Sequence, residues 1–581
     1  MVNNHDSGAA AGLAGDEISP YRIHVSSKYL DLTKQKLELT RLPHEPSEPN
    51  KSRDWWEPKS RIEPLIDFWL EKYDWREQET AFNHQLPQFR TAITPPGSTS
   101  PVRLHFIHVR SSHSHAIPLL LIPPFPFTNL SLGHLTQPLA EPESIEEQQP
   151  FHVVIPSLPG LGFSDALPSD DASVIPTTTE LLNTLMSRLS YTHYLVSNTA
   201  SAASSPAQID WKLANHLASH HANSCLGAHF INPSLAAPTL KEAPLEWVKW
   251  SLAKFFRAPI LGYQNEDLRS LDETQARQKS VARRSPSFQA GPGALLEPNT
   301  TSFALCDSPV GLLALVLKVI RILGAKKDFS AAEIITFTQT AWLPGPEAAM
   351  RLWARCLTDQ ETLLPKPSKK PYVAITVFSG TGESGGGGGG EEGRGDASGP
   401  PDPEAQAQVR DVLPRPAPNP YVCPAWANVS YNAVHVRRVP GTPGLVAWDR
   451  PELIGQGVRG LAKKLLSFDA RVKDIVARQQ RPSTAPLQGV VVVQSDSSAP
   501  APGPSGGQGA AGAGAGAGTV PPSTPQVEPT WRLSQIREAS ETPKKSSQQD
   551  GDAGLMLSPP DADFDGASPD TIVVTPPVNM R

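Results

Sequence analysis

The amino-acid sequence predicts an α/β fold, a mostly parallel, doubly wound sheet with a helical cap, and three observations point to it. Short, largely apolar runs recur through the middle of the chain: "VRLHFIHV" (102–109), "IPLLLIPPF" (117–125), "FHVVIPSL" (151–158), "HYLVSNT" (193–199) and "LGAHFINP" (226–233). Amphipathic helical patterns, "TTELLNTLMSRL" (178–189) and "DWKLANHLASHH" (210–221), separate the later runs. A block without convincing strands follows, after which "YVAITVFSG" (372–380) and "VHVRRVPG" (434–441) resume the pattern. Apolar strands alternating with amphipathic helices indicate a parallel sheet covered on both faces. A helical block inserted into such a sheet protein is usually a cap over its site.

Taken in order, residues 1–19 read as disordered and 20–95 as a leader domain rich in Trp and charge. Within it Ile62, Leu65, Ile66 and Trp69 fall at i, i+3, i+4 and i+7, one apolar helix face. Residues 96–233 form the first half of the core and 234–365 the helical cap with a polar insert. In the cap, "SPVGLLALVLKVIRILG" starts a helix that Asp307 or Ser308 can cap, with Pro309 in its first turn. Residues 366–382 restore a core strand, 383–420 form a low-complexity insert, and 421–482 complete the core with the helix "PELIGQGVRGLAKKLLSF". The tail, 483–581, is rich in Pro, Ala, Gly and Ser without periodicity and reads as disordered. The glycine run after 383 lacks GxxxxGK[ST] order and lies among acids, so it reads as a flexible insert rather than a phosphate cradle.

Composition narrows the function classes. Gly 42 and Pro 61 make about 18% of 581 residues, against a usual share of about 12%. The formal charge of −6 gives a nucleic-acid partner no electrostatic support. Cys225, Cys306, Cys356 and Cys423 are few and form no CxxC pair, which suits a reducing compartment. The N-terminus shows no basic region followed by an apolar run, and the most apolar stretches are too short or broken to span a bilayer. The expectation is a soluble, cytoplasmic protein without a stable membrane anchor.

Three stretches carry a resemblance. "FWLEKYDWREQETAFNHQLPQFRTAI" holds Tyr73, Asp74, Trp75, Arg76, Asn83, Gln88, Phe89 and Thr91, "HVVIPSLPGLGFSD" follows, and "CDSPVGLLA" (306–314) lies in the cap. In that order they resemble the microsomal-type epoxide hydrolases, which implies an α/β-hydrolase fold with a helical cap and an N-terminal leader. The chemistry implied is detoxifying: an Asp on a strand-to-helix turn opens a small apolar epoxide and forms an ester. A His oriented by an acid then activates water to release the diol. Two cap tyrosines would donate to the epoxide oxygen, and backbone N–H groups would hold the oxyanion. No cofactor is expected.

Each part has a counterpart here by resemblance. The oxyanion loop reads "PPFPFT", with Phe125 in the aromatic place as backbone N–H donor. The nucleophile turn matches at Asp210-Trp211, but glycines are absent at Gln208 and Lys212, and register set from "CLGAHF" puts Gln208 on the nucleophile position. Asp210 also reads as an acid stabilised at a helix start. Tyr263 in "LGYQ" matches the first cap tyrosine, while "MRLWARC" puts Trp353 at the second. The acid position falls on Thr381, with Glu383 two residues on. Aligning "AWDRP" puts Gly444 where the family has its His, and His435 lies nine residues upstream.

His216, His220, His221 and Cys225 have a spacing a metal could use, but a polar helix face explains them as well and no metal site is expected. Two readings compete: an epoxide hydrolase with an altered base, and a catalytically degenerate α/β-hydrolase that binds or scaffolds. A serine esterase is disfavoured because G-x-S-x-G occurs only within the low-complexity stretches, at 382–386 and 503–507, and not between a strand and a helix. The sequence leaves the oligomeric state open.

Overall fold

A computed structural model describes residues 17–44, 57–168, 173–281, 297–358, 369–380 and 421–479. The readings of residues 1–16, of the insert 383–420 with Glu383, and of the tail 483–581 lie outside the described residues. Nine strands form one sheet: β1 Ser19–Pro20, β2 Gln88–Ile93, β3 Val102–Val109, β4 Ile117–Ile122, β5 Phe151–Pro156, β6 Tyr194–Asn198, β7 Cys225–Ile231, β8 Tyr372–Phe378 and β9 Asn432–Val439. Their order is β1-β2-β3-β5-β4-β6-β7-β8-β9. The pairs from β5-β4 to β8-β9 are parallel, and β1-β2, β2-β3 and β3-β5 are antiparallel. Strands β4 to β7 are buried along their whole length, as parallel strands covered on both faces must be.

The apolar runs of the sequence correspond to β3 through β9. Strands β1 and β2 were not anticipated. They come from the leader, whose polar "QFRTAI" shows no clean alternation, and its burial against β3 decides the conformation.

The leader continues with α1 Ser27–Glu38, α2 Lys59–Glu71 and α3 Trp75–Gln85. The residues that carried the resemblance serve architecture here. Asp74 caps α3 by accepting from the Arg76 N–H at 2.7 Å, and Trp75 Nε1 donates to Glu79 Oε2 at 2.8 Å. Arg76 donates to Glu79 and to the Val25 carbonyl. The Asn83 amide accepts from Ile23 N–H and donates to Ile23 C=O, both at 2.8 Å, so one side chain holds the incoming chain as a strand partner would.

Helices α4 Thr136–Ala140, α5 Val174–Arg188 and α6 Ile209–His220 belong to the core. The cap comprises α7 Pro244–Phe256, α8 Asn265–Val281, α9 Pro298–Asp307, α10 Pro309–Ile322, α11 Ala331–Trp342 and α12 Glu347–Thr358. After β9 come α13 Val446–Asp449, α14 Glu452–Phe468 and α15 Ala470–Gln479. Alternation along β7 separates the layers. Phe230 meets Trp211 of α6, whereas neighbouring His229 and Gly227 face α14, at Gly457 and at Leu461 and Leu465.

Ser308 caps α10, accepting from Gly311 N–H at 2.9 Å, with Pro309 in the first turn. The predicted face Ile62, Leu65, Ile66 and Trp69 is buried in a second apolar cluster with Leu313, Val316, Leu317 and Ile320 of α10. Each such side chain contributes about 1.5–3 kcal/mol by burial. Trp342 Nε1 donates to Thr33 Oγ1 at 2.9 Å, a further tie between leader and cap. No single described helix is long and apolar enough to cross a membrane; α9 and α10 pass that test only together and are bent by 117°.

Candidate functional site

The site region lies beyond the carboxyl ends of the parallel strands, where open α/β sheets bind ligands. At the end of β6, Asn198 Oδ1 accepts from Ile231 N–H at 3.0 Å, and Thr199 Oγ1 donates to Ile122 C=O at 2.8 Å. The chain then winds to α6 through Ala207 and Gln208, both left-handed with φ of 50° and 55°. These are the positions where the absence of glycine costs backbone strain of order 1–2 kcal/mol each.

Asp210 follows in the first turn of α6, wholly buried. Its Oδ1 accepts from Ser205 Oγ at 2.8 Å and its Oδ2 from Ala200 N–H at 3.3 Å. Burial pushes the carboxyl up to about 6, although these hydrogen bonds pull it back. The carboxylate thus clasps the end of β6 to the start of α6.

A cavity of about 840 Å³ opens between this turn and the cap, within the usual small-molecule range of about 300–1,000 Å³. Gln208 and Ala203 form its floor, and α7, α8 and the segment before β9 form its walls. The apolar wall is Trp250, Trp426 and Leu235, with Trp250 and Trp426 edge to face at 5.6 Å. Lys254, Arg257, Arg269 and Asp272 also line it. None of Phe125, Asp210 and Tyr263 is among its lining residues, whereas Gln208 is.

Phe125 is fully buried with its ring 5.4 Å from that of Trp353, and no described group accepts its N–H. Tyr263 is buried behind the wall, its ring 5.3 Å from Trp250. Its hydroxyl has no hydrogen-bond partner among the described residues, and burial raises its pKa. Glu383 and Thr381 are not among the described residues.

Gly444 has φ of +66°, and a Cβ there would fall on the Asp449 carboxylate and within 3.2 Å of Gly324 C=O. Asp449 is fixed in that place. It accepts from Leu445 N–H at 2.8 Å, Lys326 N–H at 3.0 Å and Lys327 N–H at 2.7 Å, tying the loop after β9 to the cap. The backbone conformation and this carboxylate together leave no room for a side chain at 444. His435 stands on β9 against Gly460 of α14.

Two buried polar systems went unread in the sequence. Asp267 of α8 is fully buried and takes a bidentate pair from Arg438 of β9 at 2.8 and 2.9 Å, with the Tyr421 hydroxyl at 2.5 Å. The doubled arginine of "VHVRRV", in an otherwise enclosed sheet, was its only trace. In the sheet, Ser197, His229 and Thr376 form a chain across three strands, 2.9 Å at each link. Burial brings His229 down to about 3, so it is neutral and bridges as donor and acceptor. The helical histidines are engaged locally: His216 meets Thr179 Oγ1 at 2.8 Å and stacks on His220, and His221 faces Glu180. Among the described residues no group of three or more His, Cys, Asp or Glu could hold a metal.

The parallel sheet with α6 and α14 on its two faces and a helical cap over the strand ends defines an α/β-hydrolase. Solved structures agree on this fold: the Aspergillus niger epoxide hydrolase has a TM-score of 0.54 at 18% identity, covering 77% of this chain and 97% of that one. The silkworm (Bombyx mori) juvenile hormone epoxide hydrolase has a TM-score of 0.55 at 17% identity, covering 80% and 96%. The family model "Epoxide hydrolase N terminus" matches residues 18–132, the segment of the leader and the first strands. A Stigmatella aurantiaca protein named as an epoxide hydrolase is 28% identical over 305 residues, 51% of this chain and 58% of that one. Juvenile hormone epoxide hydrolase 2 of Ctenocephalides felis is 24% identical over 288 residues, 48% and 56%. The chain therefore spans little more than half the length of these two relatives, and it carries a segment that matches the epoxide hydrolase N terminus on an α/β-hydrolase fold.

Proposed function

We propose that this protein binds a small apolar epoxide, or a molecule of similar shape, in the cavity beside Gln208, and does not carry it through hydrolysis as its relatives' names describe. One observation carries this reading: position 444, where the family's base is expected by resemblance, is a left-handed glycine against the Asp449 carboxylate, closed to any side chain. Alkylation of a carboxylate needs no histidine, but hydrolysis of the resulting ester does. No histidine lines the cavity among the described residues. Asp210 remains the candidate nucleophile by resemblance, with Gln208 as the alternative register. Phe125 remains the candidate oxyanion donor, Tyr263 the candidate epoxide-oxygen donor and Glu383 the candidate acid. Asp210 would have to leave Ser205 and Ala200 to attack. We expect a cytoplasmic location, with no nucleic-acid partner.

Binding is read by intrinsic fluorescence, because Trp250 and Trp426 form the cavity wall. Titration with styrene oxide should quench saturably, and Trp250→Phe should remove a large part of the change. Linear, unsaturable quenching identical in the two proteins would contradict the reading.

A further inference from the structure

The faces that α7 and α8 turn to the cavity carry an excess of positive charge. On α7, Trp250, Lys254 and Arg257 fall at i, i+4 and i+7, and on α8, Leu268, Arg269 and Asp272 fall at i, i+1 and i+4, so each helix lines the cavity with one side. Among the described lining residues three cations stand against one acid, in a chain of formal net charge −6. Arg257 and Asp272 pair with each other at 3.7 Å, which leaves Lys254 and Arg269 as the excess. Neither has a carboxylate partner among the described residues. Two other acids of these helices are held elsewhere, Glu246 by Lys249 at 2.8 Å and Asp267 by Arg438 at 2.8 Å.

The two cations adjoin the apolar wall but differ from it in exposure. Trp250, Trp426 and Leu235 are half-buried, whereas Lys254 and Arg269 are exposed. Lys254 Nζ stands 5.9 Å from the centre of the Trp250 ring, so an ammonium borders the aromatic surface. A wholly apolar ligand would cover the wall and leave two like charges facing it. A ligand with an apolar body and an anionic end matches both parts. Its body lies on the tryptophans, and its anion meets the cations where water still reaches it, so the charge is not stripped of solvent.

We infer that the cavity selects an amphipathic organic anion, an aryl or alkyl carboxylate, with its apolar body against Trp250 and Trp426 and its carboxylate beside Lys254 and Arg269. The inference rests on the reading above in taking this cavity as the ligand site, and it adds the charge of the ligand. It needs no turnover and no nucleophile.

The test is isothermal titration calorimetry of the full-length chain with 3-phenylpropanoate and with its neutral amide, 3-phenylpropanamide, two probes of one shape that differ in charge. At low salt the carboxylate should bind about tenfold more tightly than the amide, and added sodium chloride should narrow that gap. Lys254→Gln with Arg269→Gln should bring the two affinities within about twofold, with an unchanged melting temperature because both side chains are exposed. Lys241→Gln, outside the cavity, should leave the gap as it is. Equal binding of the two probes by the unmodified chain would overturn the inference and leave the cavity as a site for neutral ligands. A preference for the carboxylate that survives the double variant would also overturn it, placing the anion elsewhere on the protein. Binding of neither probe, with saturable quenching by styrene oxide, would overturn the inference alone; without that quenching, the reading of the cavity falls with it.

Discussion

Gly444 and Asp449 form a local unit in which each explains the other. A carboxylate collecting three backbone N–H groups needs the space a Cβ at 444 would occupy, and the left-handed backbone makes that space available. Gly444→Ala should therefore destabilise the protein by at least about 1 kcal/mol from the conformation alone, and Gly444→His by more, with no gain in diol formation. Thermal melts together with diol assays check this; a well-folded Gly444→His variant with raised turnover would show that the loop accepts a base.

Asp210 gives the second residue-scale prediction. Its folded pKa, about 6, lies above the unfolded value near 3.9, so the folded state holds the proton more tightly. Stability should then be fully favoured below about pH 4 and should fall as pH rises to about 6, by on the order of 2–3 kcal/mol. Asp210→Asn can keep both contacts, accepting from Ala200 N–H and donating to Ser205 Oγ. Melts from pH 4 to 8 should show the variant more stable than the unmodified protein at pH 7, with the gap closing near pH 4. A variant less stable at every pH would mean that the ionised carboxylate is what holds the turn.

At the scale of elements, α8 of the cap is joined to β9 of the core through Asp267 and Arg438. Removing one partner of a buried pair leaves the other charge uncompensated, so Asp267→Ala should cost about 3–5 kcal/mol. It should also expose the cap to limited proteolysis before the core, whereas unchanged cleavage kinetics would mean that the cap is held by its apolar contacts. This scale also shows what the residues alone convey. Strands β3 to β9 announce themselves because a doubly covered strand must be apolar, and the α2 face because its period is 3.6. Strands β1 and β2 do not, since their pairing with β3 is long-range. Asp267 and Arg438 lie 171 residues apart, and only the fold makes them neighbours. For the site, the resemblance aligned Gly444 with the expected base, but only the fold shows the Asp449 carboxylate that fills the space beside it. The preference for Gln208 over Asp210 at the cavity was visible only as two competing registers.

At the scale of the whole molecule, the chain has the sheet, cap and leader that the resemblance implies, while the cavity beyond the strands is lined by Gln208 and not by Asp210. The leader adds two strands to the sheet and buries its helix face against α10, so its motif residues are explained by architecture. The cavity survives with aromatic walls and a cationic lining. On the proposed reading, a cavity with no base at position 444 would bind a ligand without turning it over. The most direct measurement incubates the full chain with styrene oxide at pH 7, following diol by chromatography and the protein by intact mass. A general base contributes about 10²–10⁴-fold, so diol formation should fall at least that far below an ordinary family member, and any adduct that forms should persist and be lost in Asp210→Asn. Rapid multiple turnover by the unmodified chain would contradict the account.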